Sequence, residues 1–430
     1  MGSGFSMLSA SGSGIDGLGL KPPKTYGIQQ SLESKRKLDF YLKGNHFNYN
    51  YMFNNRKFHN HLPHALVSAY FLGASPKQLE DLYEDSIQEL VQWTEERPSE
   101  VTDDDWTDFF GRKNYDRAYF DYFTDKISES TKDWKVIAKQ FYVDKYQADG
   151  EQPNLLSGLY SGLLHPLIHF GYAIEVDSPL IAIEALAMSC TEYNDLGKLL
   201  VDVVDSTPGS KTTDPVQILQ DIRNDTDFDN QLSKPFENKL PVLIKKFDSK
   251  IKHYSERLDV SNPKEVVLKL LHAGTLILTT THQVDKPVFD FFLLHILTSS
   301  HEMAEIILSP ERGELVFPER FHSLLVKQLW TITVILYISQ LRPLIKPEIL
   351  PEMKEPIEDI WKRAIEKTLS GPQKFDSHSL KAVRAMLAAE LLTKDTTGVY
   401  ARAASHFANN KPDTEYGGRT NGKLLLDVKV

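Results

Sequence analysis

In Leu163-Leu164-His165-Pro166-Leu167-Ile168-His169-Phe170, two imidazoles stand among side chains that are otherwise all apolar. The spacing of i and i+4 puts both rings on one face of a helix, from which both reach one ion. Pro166 opens that helix, which leaves His165 at its cap. A second apolar run, Phe291-Phe292-Leu293-Leu294-His295-Ile296-Leu297, carries His295. A buried polar ring costs roughly 2–7 kcal/mol in an apolar medium unless something satisfies it. One such ring is readily explained as a hydrogen-bonded core residue. Three, two of them one helical turn apart, point to a shared partner, and the commonest shared partner of neutral imidazoles is a metal ion.

Outward from these runs, helical signals dominate. Pro63 sits in the first turn of a helix through Ala65 to Leu72, stopped by Gly73. Ser75-Pro76-Lys77-Gln78 is a capping box with proline at the first helical position, opening a helix through Leu79, Leu82, Ile87 and Leu90. Ser178-Pro179 opens another through Ile181 to Met188. Further helical patterns cover 215–258, 263–281, 287–308, 319–342, 355–369 and 376–393. Clean period-two alternation is nearly absent. Polar loops fall near 95–105, 144–154 and 203–214, and no fixed repeat period is visible. The expected fold is all-α: one large helical domain over residues 26–430, in one or two lobes, with a metal site between helices. Residues 1–25 read as a disordered leader.

Bulk properties narrow the function. The chain has 430 residues, 41% hydrophobic and 25% charged, which suits a sizeable globular core. A net charge of -10 argues against nucleic acid and anionic membranes as partners. Cys190 is the only cysteine, which removes intrachain disulfides, cysteine zinc sites and iron–sulfur clusters. A reducing compartment, the cytoplasm, is the natural location. No stretch reaches the ~18 uninterrupted apolar residues of a membrane span; Leu329–Leu341 comes nearest and reads as a buried core helix. Two motif matches at the N-terminus carry little. Met1-Gly2-Ser3-Gly4-Phe5-Ser6 fits the loose myristoylation pattern. Gly12-Ser13-Gly14-Ile15-Asp16-Gly17 fits a dinucleotide fingerprint by letters, but no strand precedes it and Pro22-Pro23 follows.

Candidate ligands fall in four segments: Phe58-His59-Asn60-His61-Leu62-Pro63-His64, His165 with His169, His295, and Asp376-Ser377-His378-Ser379-Leu380-Lys381. In the last segment Leu380, Val383, Leu387 and Leu391 form an apolar stripe. Lys381 lies beside it with Ala385, Ala388 and Ala389, so its amine points into packing, where desolvation strips its charge. Each residue alone has a plainer reading: a satisfied core histidine, a helix cap, a snorkelling lysine. Their joint occurrence favours metal. Other chemistries fail on letters. His301-Glu302-Met303-Ala304-Glu305 lacks the second histidine of a zinc protease. Glu319-Arg320-Phe321-His322 lacks a partner for a di-iron site. No nucleophile elbow, P-loop or His-Asp dipeptide occurs.

With these segments assembled, the chain resembles the questin oxidase family of fungal enzymes from about residue 26 to 400. The resemblance rests on Tyr26-Gly27, on the His59-to-His64 segment with Leu72-Gly73-Ala74, and on Asp105-Trp106 with Gly111. It continues through Gly162 to Tyr172, Phe289 to His295, and Asp376 to Lys381. It implies an oxygenase of aromatic polyketide biosynthesis that opens the central ring of an anthraquinone such as questin with O2, as a Baeyer–Villiger-type or dioxygenase cleavage. It also implies a non-haem Fe(II) site of histidines with a carboxylated lysine, and an NADPH requirement. The two dinucleotide fingerprints of flavin Baeyer–Villiger enzymes are missing, so NADPH would need another means of binding or a partner reductase.

The resulting ligand expectation is His64, His165, His169 and His295, with carboxylated Lys381 as the fifth. His61 and His378 are alternatives, or orient the first set; with Lys381 they are the candidate catalytic residues. The partners are a small aromatic polyketide and O2, with Trp106, Tyr115 and Phe120 as stacking surfaces or ordinary core. The oligomeric state is left open. The competing expectation is a metal-free helical scaffold whose histidines are locally bonded core residues.

Overall fold

Helix after helix is started by the residue types that start helices. Asp214, Asn262, Asp376 and Ser178 each cap a helix by accepting from a first-turn backbone N–H, and Pro215, Pro263 and Pro179 follow three of them directly. The Ser75–Gln78 capping box forms in full, and Gly73 ends the preceding helix at φ +92. The computed structural model describes residues 26, 28, 30–53, 58–146, 153–194, 196, 211–232, 240–284, 286–410, 419–420 and 423–424. The leader expected over 1–25, both N-terminal motif matches, and parts of the loops near 144–154 and 203–214 lie outside them. The fold is all-α. The described strands are the two-residue pair Arg419–Thr420 and Lys423–Leu424, antiparallel.

The chain forms two compact units: Met1–Gly197 with Leu308–Pro318, and Lys198–Ile307 with Glu319–Val430. In the first, helices His165–Val176 and Pro179–Thr191 make a hairpin turned by Asp177 in the left-handed region. The helices Leu32–Asn48, Leu62–Phe71 and Asp116–Ser128 pack around that hairpin. In the second unit, Pro263–Thr279, His322–Ser339, Ser377–Thr393 and Val399–Asn410 pack as a bundle. Phe291–Leu308 crosses it closely: a Cβ on Gly274 would meet the Leu297 Cα at 2.8 Å.

One expectation needs correction. The single helical pattern over 215–258 is broken. One helix ends at Asn224 and Asp225 is extended, because its carboxylate caps a short turn; the next described helix is Leu240–Glu256. Two helical stretches, Phe291–Leu308 and Glu319–Ser339, do have the length and apolarity of a membrane span. The share of those windows buried within the protein is 78% and 83%, as in core helices.

Candidate functional site

Proline places the first pair of imidazoles. With Pro63 in the first turn of Leu62–Phe71, His61 stands at the helix cap and His64 inside the first turn. This helix packs on His165–Val176, which carries His165 and His169 one turn apart. His64 Nε2 lies 2.8 Å from His169 Nδ1, and His61 Nε2 lies 2.9 Å from His165 Nε2. His64 and His169 are fully buried, and His165 is nearly so.

The approach to His165 is unusual backbone. Gly162, Leu163 and Leu164 have φ of +52, +57 and +68 in succession. Non-glycine residues avoid this region, and each costs on the order of 1–3 kcal/mol there. A Cβ on Gly162 would meet the Glu192 Cγ at 2.8 Å. The turn ends with His165 Nδ1 donating to the Gly162 carbonyl at 2.6 Å. Since that carbonyl can only accept, neutral His165 presents its lone pair at Nε2, and His61 donates to it.

Two carboxylates stand behind these rings. Glu184, midway along Pro179–Thr191, accepts from His169 Nε2 at 2.7 Å and from His46 Nδ1 at 2.8 Å. Burial alone would raise its pKa; the bonds from His169 and His46 outweigh burial and hold the carboxyl at about 2. Glu192 accepts from His59 Nε2 at 3.0 Å and Lys113 Nζ at 2.5 Å. There too burial pushes up, and His59 and Lys113 bring the carboxyl net below its ordinary range. His59 lies flat on His165, ring centroids 3.9 Å apart. Burial lowers the His59 pKa, partly opposed by the Glu192 bond.

The second unit holds a different group. Phe291–Leu308 carries His295, His301 and Glu302; Ser377–Thr393 carries His378 and Lys381. His295 and His378 have ring centroids 5.5 Å apart and offer ring nitrogens within 4.8 Å of each other. His295 Nδ1 donates to the Phe291 carbonyl at 2.7 Å, so its lone pair is on Nε2. Lys381 is fully buried, and among the described residues its Nζ has no hydrogen-bond partner. Burial brings its pKa down to about 7, against the opposing field of Glu302. Burial, aided by Glu305, pushes Glu302 well above its ordinary range, against Arg384 and Lys381. Burial and the charge of Lys381 push His378 well below its own. At the start of Phe291–Leu308, Asp290 accepts from the Phe292 and Leu293 N–H groups, yet burial raises it to about 7.

All the singled-out histidines but His61 and His378 are buried, as is Lys381, and those two are half-buried. The structure pairs His64 with His169, His61 with His165, and His295 with His378. His61 and His378, which the sequence casts as supporting residues, therefore stand inside pairs. Trp106, Tyr115 and Phe120 are buried against Phe141, Phe109 and Trp93, as core aromatics are. His46, Glu184 and Glu192 escaped the sequence reading, and Glu302 entered it only within the rejected protease motif. The signal for Glu184 was present: one carboxylate in the apolar run Ile181-Ala182-Ile183-Glu184-Ala185-Leu186.

A family model described as questin oxidase-like matches residues 58–386, which include every site residue named above except His46. The chain is 27% identical over 282 residues to a Baeyer-Villiger monooxygenase of Cryptosporiopsis sp., covering 60% of each protein. It is 24% identical over 272 residues to the questin oxidase of Aspergillus terreus, covering 59% of this chain and 58% of that one. A Baeyer-Villiger oxidase of Pestalotiopsis microspora matches at 28% over 169 residues, 38% of this chain and 36% of that one. The matched stretches thus span 60% or less of these curated relatives' length.

Proposed function

The chain belongs to the questin oxidase-like family, and from that premise we propose that it is an oxygenase of aromatic polyketide biosynthesis. In this reading it acts in the cytoplasm and opens the central ring of an anthraquinone such as questin with O2 at a histidine-bound non-haem iron. The relatives named as questin oxidase and Baeyer-Villiger enzymes support the reaction class. The observation that carries the metal is the set of buried imidazole pairs, His64 with His169 and His61 with His165. Imidazole is a donor that suits iron.

Bound iron would supply the activation of O2 that ring opening needs. The ligands proposed are His64, His165, His169, His295 and Lys381, with His61 and His378 orienting them. Burial brings the Lys381 pKa down to about 7, so a large share of the amine is neutral near pH 7, and a neutral amine adds CO2. One N–C bond forms, one proton leaves, and the carbamate is an anionic ligand. The reductant sets the outcome for oxygen. With NADPH, one oxygen atom enters the product and the other leaves as water; without it, both enter.

Anaerobic loading of the full chain with Fe(II), followed by metal analysis and an assay on a hydroxylated anthraquinone, tests the reading. Retained iron with O2-dependent ring opening is expected. Ring opening that persists in iron-free protein overturns the metal. A melting temperature indifferent to EDTA in the loaded protein, with no turnover, returns the chain to a helical scaffold. Mass spectrometry of the product from 18O2, with and without NADPH, separates one-atom from two-atom insertion.

A further inference from the structure

Four side chains of the first unit form one hydrogen-bonded line: His46, Glu184, His169, His64. The contacts are 2.8, 2.7 and 2.8 Å, and none of the four residues is more than 2% exposed. A carboxylate only accepts. His46 therefore gives its Nδ1–H and His169 its Nε2–H. A neutral imidazole has one N–H, so His169 Nδ1 holds a lone pair and accepts. The donor to it is His64 Nε2–H, which leaves the His64 lone pair on Nδ1. One carboxylate fixes the tautomers of three rings.

Packing gives no reason for a carboxylate at this position. The surrounding run Ile181–Met188 is apolar, and a buried charge costs several kcal/mol of desolvation unless it is well bonded. His46 is itself locked. Its carbonyl accepts from Trp93 Nε1 at 3.0 Å, and its ring lies 4.8 Å from Phe120. The bracing is built from four helices, Leu32–Asn48, Leu62–Phe71 and the two of the hairpin.

We infer that Glu184, braced by His46, is a positioning residue that keeps the His169 proton on Nε2 and its lone pair on Nδ1, where it accepts from His64 until an ion displaces that bond. His165 and His295, bonded through Nδ1 to backbone carbonyls, present Nε2 instead. The ring nitrogens offered to an ion are thus of two kinds, fixed before any ion arrives. The tautomers follow from the hydrogen bonds for an ionised Glu184 and neutral rings; their use in holding metal rests on the function proposed above.

The test uses metal-free full-length protein labelled with 15N-histidine. Long-range 1H–15N correlation spectra read each tautomer, and His64→Gln and His169→Gln assign the signals. Both rings should carry the proton on Nε2. A proton on His169 Nδ1, alone or together with Nε2, overturns the inference. Glu184→Gln keeps the shape but turns one acceptor into a donor, so His46 or His169 must change tautomer. Co(II) affinity, read by its absorption spectrum, should fall on the order of 10–100-fold in that variant. An affinity within about twofold of the parent, with only a lower melting temperature, marks a merely structural carboxylate and overturns the positioning role. If Glu184→Gln does not fold, the parent tautomers decide alone. If the parent binds no Co(II), the metal reading fails, and the tautomers still decide this inference.

Discussion

In the first unit Glu184 and Glu192 each accept from two donors, and both carboxyls are held below their ordinary range. In the second unit Lys381, Glu302 and Asp290 are as deeply buried, and each is pushed towards its neutral form. For Lys381 and Glu302 the difference is one of bonding rather than depth; Asp290, whose two backbone donors share one oxygen, is neutralised by burial all the same. Where donors surround a buried acid, the charge survives and orders its neighbours. Where they do not, the charge is given up, and what remains is a neutral amine or acid with unspent chemistry. The first arrangement suits holding rings in place, and the second suits changing state.

The largest effect should come from removing the compensation. Glu184→Leu leaves two buried imidazole N–H groups without an acceptor and should destabilise the protein by about 3–5 kcal/mol, read by urea unfolding. A cost under about 1 kcal/mol, the range of exposed pairs, would erase the contrast between the units. The same kind of change in the second unit should have the opposite sign. Lys381→Met removes a buried amine that has no partner among the described residues. It should stabilise metal-free protein by about 1–3 kcal/mol, while abolishing turnover.

Acid and base titrations should separate the units further. Glu184 has its folded pKa depressed from 4.5 to about 2. Its stabilisation is complete above pH 4.5 and lost as pH falls towards 2. Asp290 runs the other way: raised from 3.8 to about 7, it adds no penalty below 3.8 and a growing one up to pH 7. Asp290→Asn should therefore flatten the stability profile between about pH 4 and 7 and leave the acid limb intact. Lys381, lowered from 10.5 to about 7, relieves its own penalty as pH rises from about 7 to 10.5, and Lys381→Met should remove that rise. Denaturant midpoints measured across pH read all three. The smallest effect is expected at Lys113, whose side chain is 38% exposed beside Glu192. Lys113→Met should cost no more than about 1 kcal/mol. A loss as large as that of Glu184→Leu would show that exposure does not weaken this bond.

The helices were legible because their starts are chemical. Ser75, Ser178, Asp376 and the prolines that open helices declare themselves in a single sequence. The break at Asp225 was not, because an aspartate that caps its own turn looks like any polar residue on a helix face. The imidazole pairs were legible as polar rings in apolar runs, and the burial of Lys381 followed from its small neighbours. Which ring faces which was not legible, since it depends on how Leu62–Phe71 packs on His165–Val176. His46 was hidden for the same reason: its partner lies 138 positions away in the chain.

Three successive left-handed residues ahead of His165 also restrict how this chain can drift. Gly162 is closed to other residues by its φ and by Glu192 at 2.8 Å. Leu164 is fully buried, so changing it to glycine would relieve the backbone but forfeit roughly 1.5–3 kcal/mol of burial. Changing the length of the turn is worse, because it would move the Gly162 carbonyl away from His165 Nδ1, which donates to it at 2.6 Å. In lineages that keep the imidazoles, the residue count between Gly162 and His165 should be as invariant as the histidines themselves.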